Sequence, residues 1–134
     1  MEDRYLYRAK RIDNGEWMEG SLMMDIHKNV ETNEESEIFG IYPNGRDYVK
    51  VVDPSTICQC TGLKDKNGKL IFENDIVTVP RDEDTCVITW DKDCGKWSIN
   101  QYAAYMYDFD NFWSVELEVI GNIFNNPELL EVGE

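Results

Sequence analysis

Residues 63–72 read Leu-Lys-Asp-Lys-Asn-Gly-Lys-Leu-Ile-Phe, in which an Asn-Gly dipeptide separates two segments that contain apolar residues. Asn and Gly both tolerate a positive φ, which a type I′ turn requires at its two central residues, so this pattern predicts a β-hairpin. The dipeptide recurs at Asn14-Gly15 and Asn44-Gly45, again between apolar or aromatic segments. Three such hairpins predict a mainly β chain.

The segments between these turns have the composition of short strands. They are rich in β-branched and aromatic residues and are bounded by Gly, Pro, Asn and Asp, which favours closely spaced antiparallel strands in a small barrel or sandwich. The acidic stretch 29–37 predicts an exposed loop. Besides the hairpin of residues 63–72, the predicted strands lie within residues 5–12, 17–23, 38–42, 48–52, 57–62, 76–79, 86–90 and 117–124.

Two segments depart from the strand pattern. Between residues 100 and 113, aromatic residues and one Met recur at separations of three and four, which favours a helical stripe. Asn126 and Pro127 are residue types preferred at the N-cap and the first position of a helix. We therefore predict a helix in each segment, the second one short.

Composition limits the classes of partner. The chain of 134 residues has the length of one domain and carries 27 acidic against 13 basic residues, a formal net charge of −14. Binders of DNA or RNA usually have the opposite sign, because Lys and Arg displace the counterions of the phosphate backbone. Direct nucleic-acid binding is therefore disfavoured, whereas a basic protein partner is allowed.

The sequence also bears on location and redox state. No run approaches the roughly 18 apolar residues of a membrane span, and residues 1–7 lack the layout of a signal peptide. We therefore expect a cytoplasmic protein with no membrane partner, whose four cysteines (Cys58, Cys60, Cys86 and Cys94) are reduced thiols.

Residues 58–77 read Cys-Gln-Cys-Thr-Gly-Leu-Lys-Asp-Lys-Asn-Gly-Lys-Leu-Ile-Phe-Glu-Asn-Asp-Ile-Val. This segment resembles the signature of the YopX family of phage and prophage proteins. That family typically reads Gln-aromatic-Thr-Gly-Leu-x-Asp-x-x-Gly and then Ile-Tyr-Glu-Gly-Asp-Ile-Val. Residues 119–130 are similar to its closing Ile-Gly-Asn-Ile-Tyr-x-Asn-Pro-Glu-Leu, and Tyr7-Arg8-Ala9 is a weaker third match. Cys60 replaces the usual aromatic residue and Asn74 the usual Gly, and Asn also tolerates a left-handed turn.

The resemblance implies a phage or prophage setting in a bacterial host and no established activity. It also implies a mainly β fold with a small antiparallel SH3-type barrel, in one domain over residues 1–134. We place extra N-terminal hairpin strands at about residues 1–55 and the barrel core, with the short C-terminal helix, at about residues 56–134. The motif residues that we expect to serve structural turns are Gln59, Thr61, Gly62, Asp65, Gly68, Asp75, Gly121 and Asn122.

Catalytic chemistry finds little support in the sequence. Cys58-x-Cys60 lacks a second closely spaced pair of zinc ligands, and His27 is the only histidine that could activate a thiol. No glycine-rich phosphate cradle is present. We predict no catalytic residue, metal site or cofactor.

We interpret the chain as an accessory protein that binds a host or phage protein. The aromatic segment, with Tyr102, Tyr105, Phe109 and Trp113, is the candidate contact surface. Two alternatives stay open: a small metal-dependent hydrolase using clustered carboxylates, and an acidic mimic of DNA that blocks a host nucleic-acid-binding protein. Homo-oligomerisation through an exposed strand edge is also open, and the sequence identifies neither the activity nor the partner.

Overall fold

The protein is described here by a computed structural model that covers residues 5–43, 46–78, 85–101, 106–108 and 117–130. Within these ranges the chain is mainly β, with two antiparallel sheets and two 3-10 turns, Pro54–Thr56 and Pro127–Leu130. The strands are β1 (Tyr7–Lys10), β2 (Trp17–Lys28), β3 (Glu35–Pro43), β4 (Lys50–Val51), β5 (Cys58–Lys64), β6 (Leu70–Phe72), β7 (Asp75–Thr78), β8 (Thr85–Asp91), β9 (Lys96–Gln101), β10 (Met106–Asp108) and β11 (Glu118–Asn122). The described residues fall into an N-terminal unit, Tyr5–Gln59, and a C-terminal unit that begins at Cys60.

The N-terminal unit is built on the long hairpin of β2 and β3. Its strand order is β4-β3-β2-β1, and the first residues of β5 pair with β1. Strand β3 pairs with β2 from Gly20 to Lys28, whereas β1 pairs only with Trp17–Gly20. The distal part of the hairpin therefore extends past its neighbouring strands, and we call residues Met24–Glu37 the arm.

The core of the N-terminal unit lies on one face of this sheet. Ala9, Ile41 and Val52 are completely buried. Because side chains alternate between the faces of a strand, Ala9 and Ile41 share their face with Leu22 of β2. The half-buried side chains packed against this cluster are Tyr7, Met18, Leu22, Phe39 and Ile57.

Three hairpin turns in the two units share one design, at Arg11–Glu16, Asn29–Glu34 and Asp91–Lys96. Each has a four-residue loop whose last residue has a positive φ and donates its N–H to the carbonyl oxygen of the residue before the loop. The donors are Gly15, Asn33 and Gly95, with distances of 3.0, 2.8 and 2.8 Å.

The Asn-Gly dipeptides lie in hairpins, but the predicted type I′ geometry is wrong at both described sites. Gly15 and Gly68 have positive φ values of 72° and 80°, whereas Asn14 and Asn67 do not. A loop of three or four residues needs only one left-handed position, and Gly fills it. The turn at Asn44-Gly45 lies outside the described residues, although the strands on either side of it, β3 and β4, pair antiparallel.

Residues 29–37 are all exposed, as predicted, but they form a loop only in their first part. Glu35 already begins β3, and residues 29–34 form the tight turn described above. The Asn29 side chain orders this turn by accepting the backbone N–H groups of Glu31 and Thr32 at 2.9 and 3.2 Å. Asn33, at φ 64°, takes the left-handed position that Gly would otherwise occupy.

The C-terminal unit contains the β5–β6 hairpin and a five-stranded sheet of order β10-β9-β8-β7-β11. Its core is a cluster of completely buried apolar residues. They are Ile71, Val77, Cys86, Ile88, Ile99 and Leu117. Among the described strands, β10 and β11 lie at the two ends of this sheet, so the predicted SH3-type barrel is not confirmed.

The predicted helix over residues 100–113 is wrong wherever the structure describes it. Residues 100–101 end β9 and residues 106–108 form β10, which pair antiparallel with each other. Strand β9 is fixed by six cross-strand pairs with β8, including Trp90 opposite Trp97, whose ring centroids are 5.1 Å apart. This pairing with the preceding strand overrides the local three- and four-residue spacing.

The predicted C-terminal helix is a single 3-10 turn, Pro127–Leu130. The N–H of Leu129 donates to the carbonyl oxygen of Asn126 at 3.0 Å, which is the shorter 3-10 connection. The Asn126 side-chain oxygen accepts the N–H of Asn122 at 3.3 Å. The cap side chain therefore ties the turn back to β11.

Candidate functional site

Asp65 organises the turn that follows β5. It is 5% exposed, and its Oδ1 accepts the backbone N–H groups of Asn67 and Lys69, both at 2.9 Å. Its Oδ2 accepts the N–H of Val119 in β11 at 3.0 Å. Burial acts to raise the pKa of Asp65, but the three backbone donors outweigh it and hold the pKa below its ordinary value. This carboxylate is thus held in its charged form.

Thr61 and Gly62 form a bulge in β5. Pairing passes from Cys60 opposite Phe72 to Lys64 opposite Leu70, so three residues of β5 lie opposite one residue of β6. The Thr61 hydroxyl donates to the Ile71 carbonyl oxygen at 2.7 Å. Gly62 takes φ 84°, a value that side chains disfavour.

Asp75 and its neighbour Asn74 turn the chain from β6 into β7. Asp75 is 1% exposed, and its Oδ2 accepts the N–H of Phe72 at 2.8 Å. Asn74 has φ 70°, so it occupies the left-handed position for which the family resemblance leads one to expect Gly. Its N–H donates to Ile88 and its carbonyl oxygen accepts from Ile123.

Gly121 and Asn122 lie at the end of β11. The Asn122 side-chain oxygen accepts the N–H groups of Phe124 and Asn125 at 3.0 and 2.9 Å. A Cβ at Gly121 would collide with the side chain of Asn126. A larger residue would therefore displace the polar side chain that ties the last turn to β11.

The motif residues make their contacts within the fold. Thr61, Asp65, Asp75 and Asn122 each bond to backbone groups, and Gly68 supplies a positive φ while its N–H donates to the Asp65 carbonyl oxygen at 3.0 Å. Gln59 lies in β5 opposite Tyr7. These contacts stabilise turns and strand ends and bring no reactive groups together.

The other chemical candidates are dispersed in the part of the chain that the structure describes. No group of three or more His, Cys, Asp or Glu side chains converges there to hold a metal ion. Cys58, Cys60 and Cys86 are buried, Cys94 is exposed in a turn, and His27 is exposed on β2. The predicted aromatic contact residues Tyr102, Tyr105, Phe109 and Trp113 lie outside the described residues.

The arm carries apolar side chains that the sequence analysis did not select. Met24 and Ile26 are 54% and 56% exposed and lie on the face of β2 that holds the core residue Leu22. Phe39 lies opposite Met24 and is half-buried. The apolar face of the N-terminal unit therefore continues from the buried core onto the exposed arm, and we call Met24, Ile26 and Phe39 the arm stripe.

Charged residues end the arm stripe. On the same face, Glu37 lies opposite Ile26, and Glu35 lies opposite Lys28. Ile26, Glu35, Ser36 and Glu37 line an open depression. The arm as a whole has five carboxylates against one lysine, a formal charge of −4 with His27 neutral.

The open edge of β2 along the arm is partly blocked. Asn29 donates its N–H to the carbonyl oxygen of Glu34. Because hydrogen-bonded pairs alternate along an antiparallel ladder, the backbone groups of the odd-numbered residues of β2 bond to β3. The backbone groups of the even-numbered residues therefore point to the opposite edge of β2, which β1 leaves uncovered along the arm. The N–H of Ile26 on that edge donates to Asp25 Oδ1 at 2.8 Å. Such a local bond hinders the addition of a further strand, which leaves the face of the arm as its accessible surface.

One signal could have identified the arm stripe from the sequence. Met24 and Ile26 alternate with Asp25 and His27, which is the period-2 pattern of an exposed strand. The strand predicted from the sequence ends at residue 23, and the prediction for residues 29–37 is a loop. Because β2 pairs with β3 as far as Lys28, Met24 and Ile26 lie on one face of the strand and Asp25 and His27 lie on the other.

No helix in the described ranges is long and apolar enough to cross a membrane.

Comparison with known proteins identifies the fold family. No curated protein sequence matches the chain significantly. The crystal structure of protein EF1440 from Enterococcus faecalis has a similar fold, with a TM-score of 0.53 and 24% identity over 93% of this chain and 96% of that one. A family model described as YopX protein matches residues 6–131, and the chain therefore belongs to the YopX family.

Proposed function

We propose that this YopX-family chain is a phage or prophage accessory protein that acts by binding a protein partner through the arm stripe. The observation that carries the proposal is the exposure of Met24 and Ile26, 54% and 56%, in direct continuation of a buried core. Single exposed apolar residues are ordinary on protein surfaces. Two of them in register beside Phe39 form a contiguous apolar patch, which is characteristic of an interaction site.

The energetics of burial support this use of the stripe. Complete burial of an apolar side chain of this size contributes about 1.5–3 kcal/mol relative to exposure, and each stripe residue on β2 has about half of its surface left to bury. Met24 and Ile26 together would then add about 2 kcal/mol to an interface. Met also adapts its shape to irregular partner surfaces.

The hairpin suits the presentation of this patch. Its two strands are paired in register from Gly20 to Lys28, and the turn at Asn29–Glu34 is closed by backbone and side-chain hydrogen bonds. A partner would therefore meet an ordered surface and would bear little of the entropic cost of ordering a loop.

The remaining features of the proposal follow from the family resemblance. We propose a location in the cytoplasm of a bacterial host. The SH3-type barrel stays a prediction for the C-terminal unit. Binding through the arm does not depend on it, because the stripe belongs to the N-terminal unit. The aromatic set from Tyr102 to Trp113 stays a predicted second contact surface.

The test is affinity capture from a bacterial host lysate by the full chain and by the double variant Met24→Ser/Ile26→Ser. A matched control, Ile12→Ser/Val51→Ser, removes two apolar side chains that are 63% and 44% exposed and lie outside the arm. We expect a specific partner to be retained by the wild type and by the control and to be lost by the stripe variant. Equal capture by all three proteins would contradict the proposed site.

A further inference from the structure

We propose that the arm stripe recognises a basic partner surface, in which Lys or Arg side chains lay their aliphatic stems on Met24 and Ile26 and place their cationic heads beside Glu37 and Glu35. This inference rests on the proposed partner-binding function. It adds the chemistry of the partner, which the apolar patch alone leaves open.

The order of side chains along the face of the arm carries the inference. From the core outward, the cross-strand rows are Leu22 with Ile41, Met24 with Phe39, Ile26 with Glu37, and Lys28 with Glu35. Apolar surface is thus followed directly by carboxylates on one face. Lys and Arg side chains have the same order, an apolar stem followed by a charged head, and they commonly cover apolar surface in this way.

The carboxylates have the spacing that a strand dictates. Glu35 and Glu37 are two residues apart on β3, which places their Cα atoms about 6.6 Å apart on one face. The cross-strand neighbour of Glu37 is the apolar Ile26, whereas Glu35 has Lys28 opposite. Glu37 also lines the depression beside Ile26. The incoming cation is therefore expected to contact Glu37 first.

The charge of the arm distinguishes between the classes of molecule that could bind to the arm stripe. Its formal charge of −4 repels nucleic acids and anionic lipid surfaces, and it also repels a second copy of the same arm. A cationic protein surface is attracted by the same field and associates faster at low salt. Charge complementarity therefore favours a basic partner over self-association through this face.

The experiment uses the full chain and three fluorescent ten-residue peptides with alternating residues: Lys with Val, Lys with Ser, and Glu with Val. Fluorescence anisotropy gives the dissociation constants at about 0.02 M and about 0.3 M salt, since screening separates these two conditions. We expect the Lys-Val peptide to bind most tightly. The Lys-Ser peptide should bind more weakly because it lacks apolar contacts.

Neutralisation of Glu35 and Glu37 tests the role of the carboxylates. Glu35→Gln/Glu37→Gln should weaken binding of the Lys-Val peptide by about fivefold at low salt, as expected for the loss of two exposed ion pairs. The matched control, Glu19→Gln/Asp47→Asn, changes the net charge equally at exposed positions outside the arm. It should change binding by less than about twofold, and the difference between the two variants should shrink at high salt.

The inference is overturned by equal weakening in both variants, by equal binding of the Glu-Val and Lys-Val peptides, or by binding of no peptide. Dimerisation through Met24 and Ile26 would also overturn it. If no peptide binds but capture from lysate still depends on Met24 and Ile26, the proposed function stands and only the basic chemistry of the partner is wrong. If capture is independent of the stripe, the proposed site itself fails.

Discussion

Removal of the Asp65 carboxylate gives the sharpest test of how the family motif stabilises the C-terminal unit. In Asp65→Ala three backbone N–H groups, those of Asn67, Lys69 and Val119, lose an acceptor at 2.9–3.0 Å. Asn67 and Lys69 are exposed, so water can replace the carboxylate there. Val119 in β11 is half-buried and has less access to water.

The expected loss of unfolding free energy follows from these environments. A hydrogen bond to a charged group contributes about 1.5–3 kcal/mol net, and the upper end applies where the remaining donor stays buried. We assign about 2 kcal/mol to the Val119 contact and about 0.5 kcal/mol to each hydrated turn contact. Asp65→Ala should therefore destabilise the protein by about 3 kcal/mol. Asp65→Asn, which keeps one acceptor oxygen, should cost about half as much.

Urea unfolding followed by tryptophan fluorescence measures this effect, because Trp90 and Trp97 belong to the same unit as Asp65. The control is Asp93→Ala, since Asp93 is exposed in a hairpin turn and should change stability by less than about 0.5 kcal/mol. A loss below about 1 kcal/mol for Asp65→Ala, or a loss equal to that of the control, would refute the organising role of the carboxylate.

The same contact predicts a pH dependence with a definite sign. The folded-state pKa of Asp65 lies below its ordinary value of about 3.9 in an unfolded chain. Its contribution is therefore complete above the unfolded pKa and is lost as pH falls through the folded pKa. The stability difference between wild type and Asp65→Asn should accordingly be constant near neutrality and should shrink below about pH 4.

Three further substitutions test local features of the fold. Gly121→Ala should lower the unfolding free energy by about 1–3 kcal/mol, because its Cβ would collide with the Asn126 side chain, and urea titration measures the loss. Gly15→Ala has open space around it, so its cost should be limited to the positive φ, about 1 kcal/mol in the same assay. Asp25→Val removes the acceptor of the Ile26 N–H and exposes the β2 edge, which should increase self-association in light scattering relative to wild type and to Asp25→Asn. Unchanged molar mass in Asp25→Val would show that this bond does not protect the edge.

The mainly β class could be predicted because the residue types at the turns indicate the local backbone conformation without any information on tertiary contacts. Gly15 and Gly68 occupy left-handed positions that Gly adopts without strain, so each Asn-Gly dipeptide marked the position of a turn. The turn type could not be predicted, because it depends on how many residues the paired strands leave in the loop. Asn33 shows the same limit, since nothing local indicates that this Asn, rather than a Gly, closes the arm.

The errors in helix prediction have a different origin. The aromatic spacing after residue 100 resembles a helical stripe, but β9 is held by pairing with β8 across the turn at Asp91–Lys96. Asn126 has the side chain of an N-cap, yet its oxygen bonds to Asn122. In both cases a partner that precedes the segment in the sequence decides between two local conformations that the sequence leaves nearly equal.

The candidate site was harder to predict than the fold because its signal is a property of packing. An alternation of Met24 and Ile26 with polar residues indicates a strand face, but whether other side chains cover that face depends on the tertiary structure. The core cluster of the N-terminal unit reaches Leu22 and Phe39 and leaves Met24 and Ile26 more than half exposed. Exposure of the stripe therefore follows from the packing of the unit, which no single residue encodes.

The family signature and the proposed contact surface lie in different parts of the sequence. The signature residues at 58–77 and 119–130 have contacts that hold turns and strand ends, as the three backbone bonds of Asp65 illustrate. The arm stripe, within residues 24–39, contains none of these signature residues. A match to the signature therefore establishes the scaffold, because buried carboxylates and left-handed turns constrain the residue types that can form it. Recognition of a partner would be governed instead by exposed side chains such as Met24, Ile26 and Glu37, whose identity the scaffold leaves free.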